Sequence, residues 1–293
     1  MGVSDLTVAP GDLGYPLHLR ALPTPPVLHV RGALAREDAL AVAIVGARRA
    51  SAYGLEVAET LARALAARGV TIVSGLARGI DTAAHRGALA ARGRTLAVLG
   101  SGLDRVYPPE NRALAAEIAR RGALLSPFPP GTPPLPHHFP RRNALIAGLA
   151  LGTVVAEAAE RSGALITANL AGEFGRLVFA VPGRTTSALS RGTNGLIRDG
   201  ATLVMDWTDV VDELPAQWRE CVRVVDDAPE EPGATPSGDE GLVLTLLGED
   251  PLPIDRLIAG GGLGPGRTSA ALVNLEVQGR ARRVPGQRYV RSS

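Results

Sequence analysis

The sequence predicts an α/β protein built on a doubly wound, mostly parallel sheet, with a small domain of three helices and a hairpin after it. Three observations carry this. Short apolar runs such as Ala41-Val42-Ala43-Ile44-Val45 show no polar alternation, as strands covered on both faces require. Each run leads into a small-residue loop and then a segment of helical periodicity, and this unit recurs along the chain. The pattern then stops at an acidic stretch, residues 226–240, beyond which a different order of elements begins.

The elements follow in order. Residues 1–40 are a Pro-rich lead-in, where Tyr15-Pro16, Pro23, Pro25 and Pro26 exclude long helices. Val27-Leu28-His29-Val30 reads as a short strand, and the lead-in is expected to pack on the core. Residues 41–220 form the main domain. After the 41–45 strand, residues 54–68 place Leu55, Ala58, Leu61, Ala62 and Leu65 on one helical face and close at Arg68-Gly69. Strands are expected at 70–73, 95–99, 123–126, 152–156, 177–181 and 202–205. Helices are expected from about Asp81, at 111–121, 142–150 and 163–172, and a short one at Leu196-Ile197. A Pro-rich loop covers 127–140. This is the extended Rossmann-like pattern.

Residues 221–240 are expected to be a flexible linker. From residue 226 to 240, Asp226, Asp227, Glu230, Glu231, Asp239 and Glu240 stand among Pro, Gly and Ser with no basic residue. Residues 241–293 then give helices at 242–247, around Ile254 to Ile258, and at 268–278. A hairpin through Arg280-Ala281-Arg282-Arg283-Val284 and Arg288-Tyr289-Val290 follows. Three helices and a hairpin is the winged-helix order.

Composition narrows the function. The chain has 293 residues, of which 45% are hydrophobic and 20% charged, as expected of a globular protein with a core. No apolar run approaches the roughly 18–20 residues of a membrane span. The N-terminus lacks the basic-then-apolar pattern of a signal peptide, so the expected compartment is the cytoplasm. One cysteine, Cys221, rules out an intrachain disulfide and argues against a cysteine zinc site. Net charge is only +2, and every basic side chain other than histidine is arginine. Phosphate contacts from basic side chains therefore fall to guanidiniums, which grip planar oxyanions two-pronged.

The loops after the strands carry the chemistry. Gly46-Ala47-Arg48-Arg49-Ala50-Ser51-Ala52-Tyr53-Gly54 sits at the carboxyl edge of the sheet, where ligands bind. Its helix N-terminus favours an anion. The loop lacks the G-x-G-x-x-G spacing of a dinucleotide site, and its two arginines suit phosphates on a chain better than one buried pyrophosphate. Ser51 is also placed to cap the helix. Ser74-Gly75 and Gly100-Ser101-Gly102 are further small-residue loops. Asp81 and His85, four apart, are an acid/base pair or else an N-cap and a packed partner. His137-His138-Phe139-Pro140-Arg141-Arg142-Asn143 presents a ring among guanidiniums in a chain that is only 3% aromatic. Single-strand binding uses that combination, a base stacked on a ring beside phosphate contacts; the alternative is a Phe anchoring the loop to the core. The paired histidines have no Cys or carboxylate nearby in sequence, so no metal site is expected. Ser162-Gly163 opens another helix, and Glu157 ends a strand in a structural or a catalytic role, the structural one preferred.

Together these motifs resemble DNA processing protein A, the DprA/Smf family. The resemblance rests on Tyr15-Pro16, Pro26, Gly32, Val45-Gly46-Ala47-Arg48, Tyr53-Gly54, Ser74-Gly75-Leu76-Ala77-Arg78-Gly79-Ile80-Asp81, Ala84-His85, Leu99-Gly100 and Tyr107-Pro108. It continues through Phe139-Pro140-Arg141-Arg142-Asn143, Ile146-Ala147-Gly148-Leu149, Glu157-Ala158, Ser162 to Ala168, Val181-Pro182-Gly183 and Gly192-Thr193-Asn194, covering about residues 15–214. It implies a binding protein rather than an enzyme, one without a cofactor. Such a protein coats single-stranded DNA during natural transformation, loads the RecA recombinase onto it, and dimerises through the Rossmann-like domain. Carried over by motif, the DNA contacts are Gly46, Arg48, Arg49, Ser51, Phe139, Arg141, Arg142 and Asn143. Ser74, Gly75, Gly100, Ser162, Gly163 and His138 form a secondary set. The family carries a helical domain before Tyr-Pro, where this chain has a short lead. It also carries a basic residue after the Arg-Asn pair, where this chain has Ala144. The tail from 241 resembles the family's winged helix, and duplex DNA or a protein is its expected partner. Two other readings stand beside this one. One is a nucleotide-processing hydrolase on a related fold, although Gly152-Thr153-Val154-Val155-Ala156-Glu157 lacks the leading Pro-Gly-Gly run of such enzymes. The other is a regulatory DNA-binding protein acting through the winged helix.

Overall fold

In the computed structural model, residues 5–225, 238–248, 250–277, 280–284 and 286–291 are described. The chain divides into two compact units, at 1–225 and 226–293. The first contains β1 (Asp5–Val8), β2 (Leu28–Gly32), β3 (Ala41–Gly46), α1 (Ala52–Ala67), β4 (Thr71–Ser74), α2 (Ile80–Ala90), β5 (Thr95–Val98) and α3 (Arg112–Arg121). It continues with β6 (Ala123–Ser126), α4 (His138–Leu149), β7 (Gly152–Glu157), α5 (Gly163–Glu173), β8 (Leu177–Ala180), α6 (Arg191–Arg198), β9 (Thr202–Leu203), α7 (Trp207–Asp212) and α8 (Ala216–Arg219).

The strands form one nine-stranded sheet in the order β1-β2-β6-β5-β4-β3-β7-β8-β9. From β6 to β9 every pairing is parallel, and β2 and β1 add antiparallel at one edge. Winding runs outward from β3 to β6, then jumps back across β3 to β7. The carboxyl ends of β3 and β7 therefore flank the switch point, where a doubly wound sheet opens a crevice. Alternation along β3 feeds both faces. Val42 and Ile44 pack among α1 and α2, and Ala41, Ala43 and Val45 among α4 and α5.

The lead-in contributes more than packing. The expected strand at 27–30 is observed as β2, and β1 joins it through Asp5–Arg31 to Val8–Leu28 pairs. Four residues with a single buried position left β1 no readable period. The chain also stays on the core beyond 220: Arg223 N donates to Arg68 O at 2.9 Å, and Val222 packs on the α1 side. Of the expected linker, residues 226–237 lie outside the described residues. Asp239 and Glu240 fall in the first turn of a helix, where the helix dipole favours acids.

The second unit holds α9 (Asp239–Leu246), β10 (Leu252–Pro253), α10 (Ile254–Gly261), α11 (Pro265–Val277), β11 (Ala281–Val284) and β12 (Arg288–Arg291). Its strands pair as β10-β12-β11. Val243, Leu244, Leu257, Leu272, Leu275 and Tyr289 fill its core. This is a winged helix with one strand more than the hairpin expected from sequence. Gln278, Gly279 and Pro285 lie outside the described residues. No helix among the described residues is long and apolar enough to cross a membrane.

One polar cluster ties the lead-in to the parallel sheet. The Asp38 carboxylate accepts from Ala35 N (2.8 Å), Thr71 Oγ1 (3.1 Å) and the Arg94 guanidinium (two bonds of 2.9 Å). Asp38 is buried, so its loss leaves the buried Thr71 hydroxyl and the half-buried Ala35 and Arg94 donors without their shared acceptor. Asp38→Ala is expected to lower stability by about 2–4 kcal/mol, read as a reduced urea midpoint at unchanged slope.

Candidate functional site

The crevice at the switch point is a cavity of about 860 Å³. Gly46, Arg48 and Arg49 line it from the loop after β3, and Ser162 and Gly163 from the loop after β7. Phe139, Arg142 and Asn143 line it from α4. A smaller cavity of about 210 Å³ shares Arg48, Arg49, Phe139 and Arg142, and reaches Gly75 and Gly100. The two arginine-bearing segments meet here: Arg48 Cζ lies 5.2 Å from the centre of the Phe139 ring, within cation–π range.

The loop after β3 is held by Glu157. Its carboxylate accepts from Ser51 N (2.8 Å) and from Ser51 Oγ (2.6 Å), while Ser51 Oγ accepts from Gly54 N (3.1 Å). Ser51 thus caps α1 and is absent from the cavity walls. Gly54 is glycine because a Cβ there would stand 2.7 Å from a Glu157 oxygen. Both carboxylate oxygens of Glu157 are engaged, which is the structural role. Arg48 and Arg49 remain exposed.

The segment around Phe139 departs from expectation. The sequence reads it as a loop ahead of a helix from 142. Instead α4 starts at His138, and Pro140 is tolerated because first-turn N–H groups have no intrahelical acceptor. Helical spacing then separates the arginines. Phe139 and Arg142, three apart, share the face toward the sheet. Arg142 is buried, 3.7 Å from Asp81, with its Cζ 5.6 Å from the Phe139 ring. Arg141 faces outward over Phe128, at 5.2 Å, and lines neither cavity. His138 turns inward, stacked on Phe128 at 4.2 Å, with Nδ1 3.0 Å from Pro133 O. Asn143 Nδ2 donates to Gly163 O at 3.4 Å.

The secondary set divides. Ser74 is fully buried and donates to Ile44 O at 2.6 Å. Gly75 clears room for Arg142: a Cβ there would lie 1.2 Å from its Nη1. Gly100 clears room for Phe139 in the same way, at 3.1 Å. Ser162 Oγ accepts from Ala164 N at 3.3 Å and so caps α5, and Gly163 is open to solvent. Asp81 and His85 do not face each other as an acid/base pair. Asp81 accepts from Ala77 N at 3.2 Å beside Arg142, and the N-cap of α2 is Gly79 rather than Asp81. Burial raises the Asp81 carboxyl above its ordinary range, against the pull of Arg142, and burial lowers the Arg142 guanidinium.

Among the wall residues that the sequence-based set left out, Tyr107, Arg161 and Asp81 carry polar groups that bear on a ligand. Tyr107, 6.3 Å from Phe139, and Arg161 line the larger cavity, and so does Asp81. Arg161 had a usable signal, since like Arg48 and Arg49 it stands between a strand and a helix-capping serine.

His85 has a measurable consequence. The Thr95 hydroxyl donates to Ile72 O (2.8 Å) and so accepts from His85 Nδ1–H (2.7 Å), leaving Nε2 buried and unpartnered. Charging the ring would bury a lone N–H. Burial, with Arg142 adding to it, brings the His85 pKa from 6.5 down to about 3. The unfolded chain takes up this proton where the folded chain does not. The contribution is therefore intact above pH 6.5 and is lost as pH falls toward about 3, at up to about 1.4 kcal/mol per pH unit. Denaturation of wild type and His85→Gln at pH 7 and pH 5 is expected to show a smaller acid loss in the variant.

Comparison with known proteins follows from this geometry. A family model described as DNA recombination-mediator protein A matches residues 7–215, and a DprA winged helix model matches residues 227–287. Protein Smf of Synechocystis is 36% identical over 97% of this chain and 79% of its own. Protein Smf of Escherichia coli is 40% identical over 94% and 75%. Among solved structures, DNA processing protein A of Streptococcus pneumoniae superposes with a TM-score of 0.68 at 44% identity, covering 72% of this chain and 74% of the other. The Helicobacter pylori protein, solved to describe its single-stranded DNA binding mode, gives 0.64 at 31% identity, covering 72% and 95%. With the main family model spanning the whole parallel sheet and its cavity, the chain belongs to the DprA/Smf family.

Proposed function

We propose that this protein binds single-stranded DNA in the switch-point cavity, protects it during natural transformation, and loads the RecA recombinase onto it. The observation that carries the reading is the meeting of Arg48, from the loop after β3, with Phe139, from the first turn of α4, in the wall of one open cavity. Exposed guanidiniums at Arg48 and Arg49 suit phosphates, and the half-buried Phe139 ring suits a base. The Helicobacter pylori structure supports this ligand, and the description of the matching family as a recombination mediator supports the transfer to RecA. Gly46, Asn143, Ser162 and Gly163 shape the path of the strand. Arg142 acts from behind Phe139. Ser51, Ser74, Gly75 and Gly100 hold the walls rather than the strand, and Arg141 and His138 lie off the cavity.

The protein acts without a cofactor or a catalytic group, in the cytoplasm, as a homodimer through the main domain. The engagement of Glu157 with Ser51, and of His85 with Thr95, supports binding over hydrolysis. The winged helix adds a contact to duplex DNA or to a protein.

The test is fluorescence anisotropy with oligo-dT, duplex and RNA at two salt concentrations. Each phosphate neutralised adds about 0.7 to the salt slope on single strands. Arg48→Ala is expected to weaken binding at least about tenfold and to lower that slope by about 0.7. Phe139→Ala is expected to cost about 1–3 kcal/mol with the slope unchanged. Salt-independent binding, or a strong preference for duplex, would sink this reading.

A further inference from the structure

The larger cavity is lined by four arginines, Arg48, Arg49, Arg142 and Arg161, and by one acid, Asp81. Asp81 is 5% exposed and stands 3.7 Å from Arg142 Nη1. The backbone is shaped around this pair. A Cβ at Gly75 would lie 1.2 Å from Arg142 Nη1 and 2.8 Å from Asp81 Oδ2. Arg142 Nε is buried without a partner, so Asp81 opposes its charge without saturating its donors.

A carboxylate in the wall of an anion site weakens that site. Arg142 needs an opposite charge while it stays buried, but stability does not demand the pair as a whole, because a buried ion pair is often replaceable by well-packed apolar groups without loss. A protein that must hand its strand on, however, gains from a limit on affinity. We propose that Asp81 sets the strength of strand binding by cancelling the charge of Arg142, leaving phosphate contact to the exposed Arg48, Arg49 and Arg161. Arg142 is then a positioning residue. Its guanidinium lies 5.6 Å behind the Phe139 ring, three residues earlier on α4, without touching the strand, and it acts on binding through the net charge of the pair. That net charge is zero in the wild type, positive in Asp81→Asn and zero again in the double variant; in Arg142→Gln it is negative only at a pH high enough to ionise a buried carboxyl that has lost its partner, so the series is measured at alkaline as well as neutral pH.

The inference rests on the strand-binding reading above, and the experiment separates the two. Affinity for oligo-dT is measured for the full chain and the three variants across a salt series, with circular dichroism melts to establish folding. Affinity is expected to follow the charge of the pair. Asp81→Asn should bind tightest and, at alkaline pH, Arg142→Gln weakest, each about five- to tenfold from wild type. The double variant should lie within about twofold of wild type, and all four slopes should agree. A merely structural pair gives another order, with both single variants weaker than wild type and the double no better. That order overturns the inference, as does a salt slope reduced by about 0.7 in Arg142→Gln, which would put Arg142 on a phosphate. Should a single variant fail to fold, the wild type and the double variant decide: matched affinity supports the inference, and a loss beyond about threefold overturns it. Wild-type protein that binds no oligo-dT defeats the strand-binding reading itself, whereas binding with the wrong order of variants defeats only this one.

Discussion

Glu157 closes β7 with its carboxylate turned across the switch point onto the loop that follows β3. Its two oxygens take the amide and the hydroxyl of Ser51, and its own carbonyl takes Ala47 N at 2.7 Å. These bonds fix where α1 begins and how Arg48 and Arg49 leave the sheet. They also explain the small residues around them. Gly54 lets α1 settle on the carboxylate, and at Gly46 a Cβ would stand 2.8 Å from Glu157 O. A doubly wound sheet opens at this point for topological reasons. The Glu157–Ser51 link turns that opening into a cavity with defined walls.

The second wall depends on a different kind of constraint. Arg142 is buried, which is expensive for a guanidinium unless an opposite charge accompanies it. Asp81 supplies that charge, and Gly75 supplies the space. The pair links α2 to α4 across the carboxyl edge of the sheet, and Phe139 rides on the same helical face. One wall is thus a carboxylate clasped by hydrogen bonds and the other a buried ion pair. Both hold exposed arginines or a ring toward the same space, which suits a ligand met by phosphate and base together.

The winged helix stands on its own core of Val243, Leu257, Leu272, Leu275 and Tyr289. Its α11 carries Arg267, held by Asp239 at 2.7 Å, and Asn274, held by Glu240 at 2.8 Å. The exposed arginines of the hairpin, Arg282, Arg283, Arg288 and Arg291, lie on the wing rather than on that helix. Among the described residues, positive charge in this unit is therefore densest on β11 and β12.

The sequence by itself determined most of the sheet, the division into two units and the small-residue loops at the sheet's carboxyl edge. Short apolar runs followed by small residues and a helical period read as doubly covered strands, whereas β1, with one buried position in four, left no such trace. It also singled out Arg48, Phe139 and Asn143, which the structure places in the cavity wall, because guanidiniums and a ring in a chain poor in aromatics stand out in one dimension. Tertiary structure decided which side chains share a space. The separation of Arg141 from Arg142 follows from α4 starting at His138, a register that Pro140 hides from sequence. The roles of Gly75 and Gly100 exist only against Arg142 and Phe139, residues 67 and 39 positions away. The pairing of Asp81 with Arg142 depends on two helices meeting at a strand end. Local pattern encodes period and flexibility, whereas burial and partnership are properties of segments distant in the chain, and folding alone brings those together.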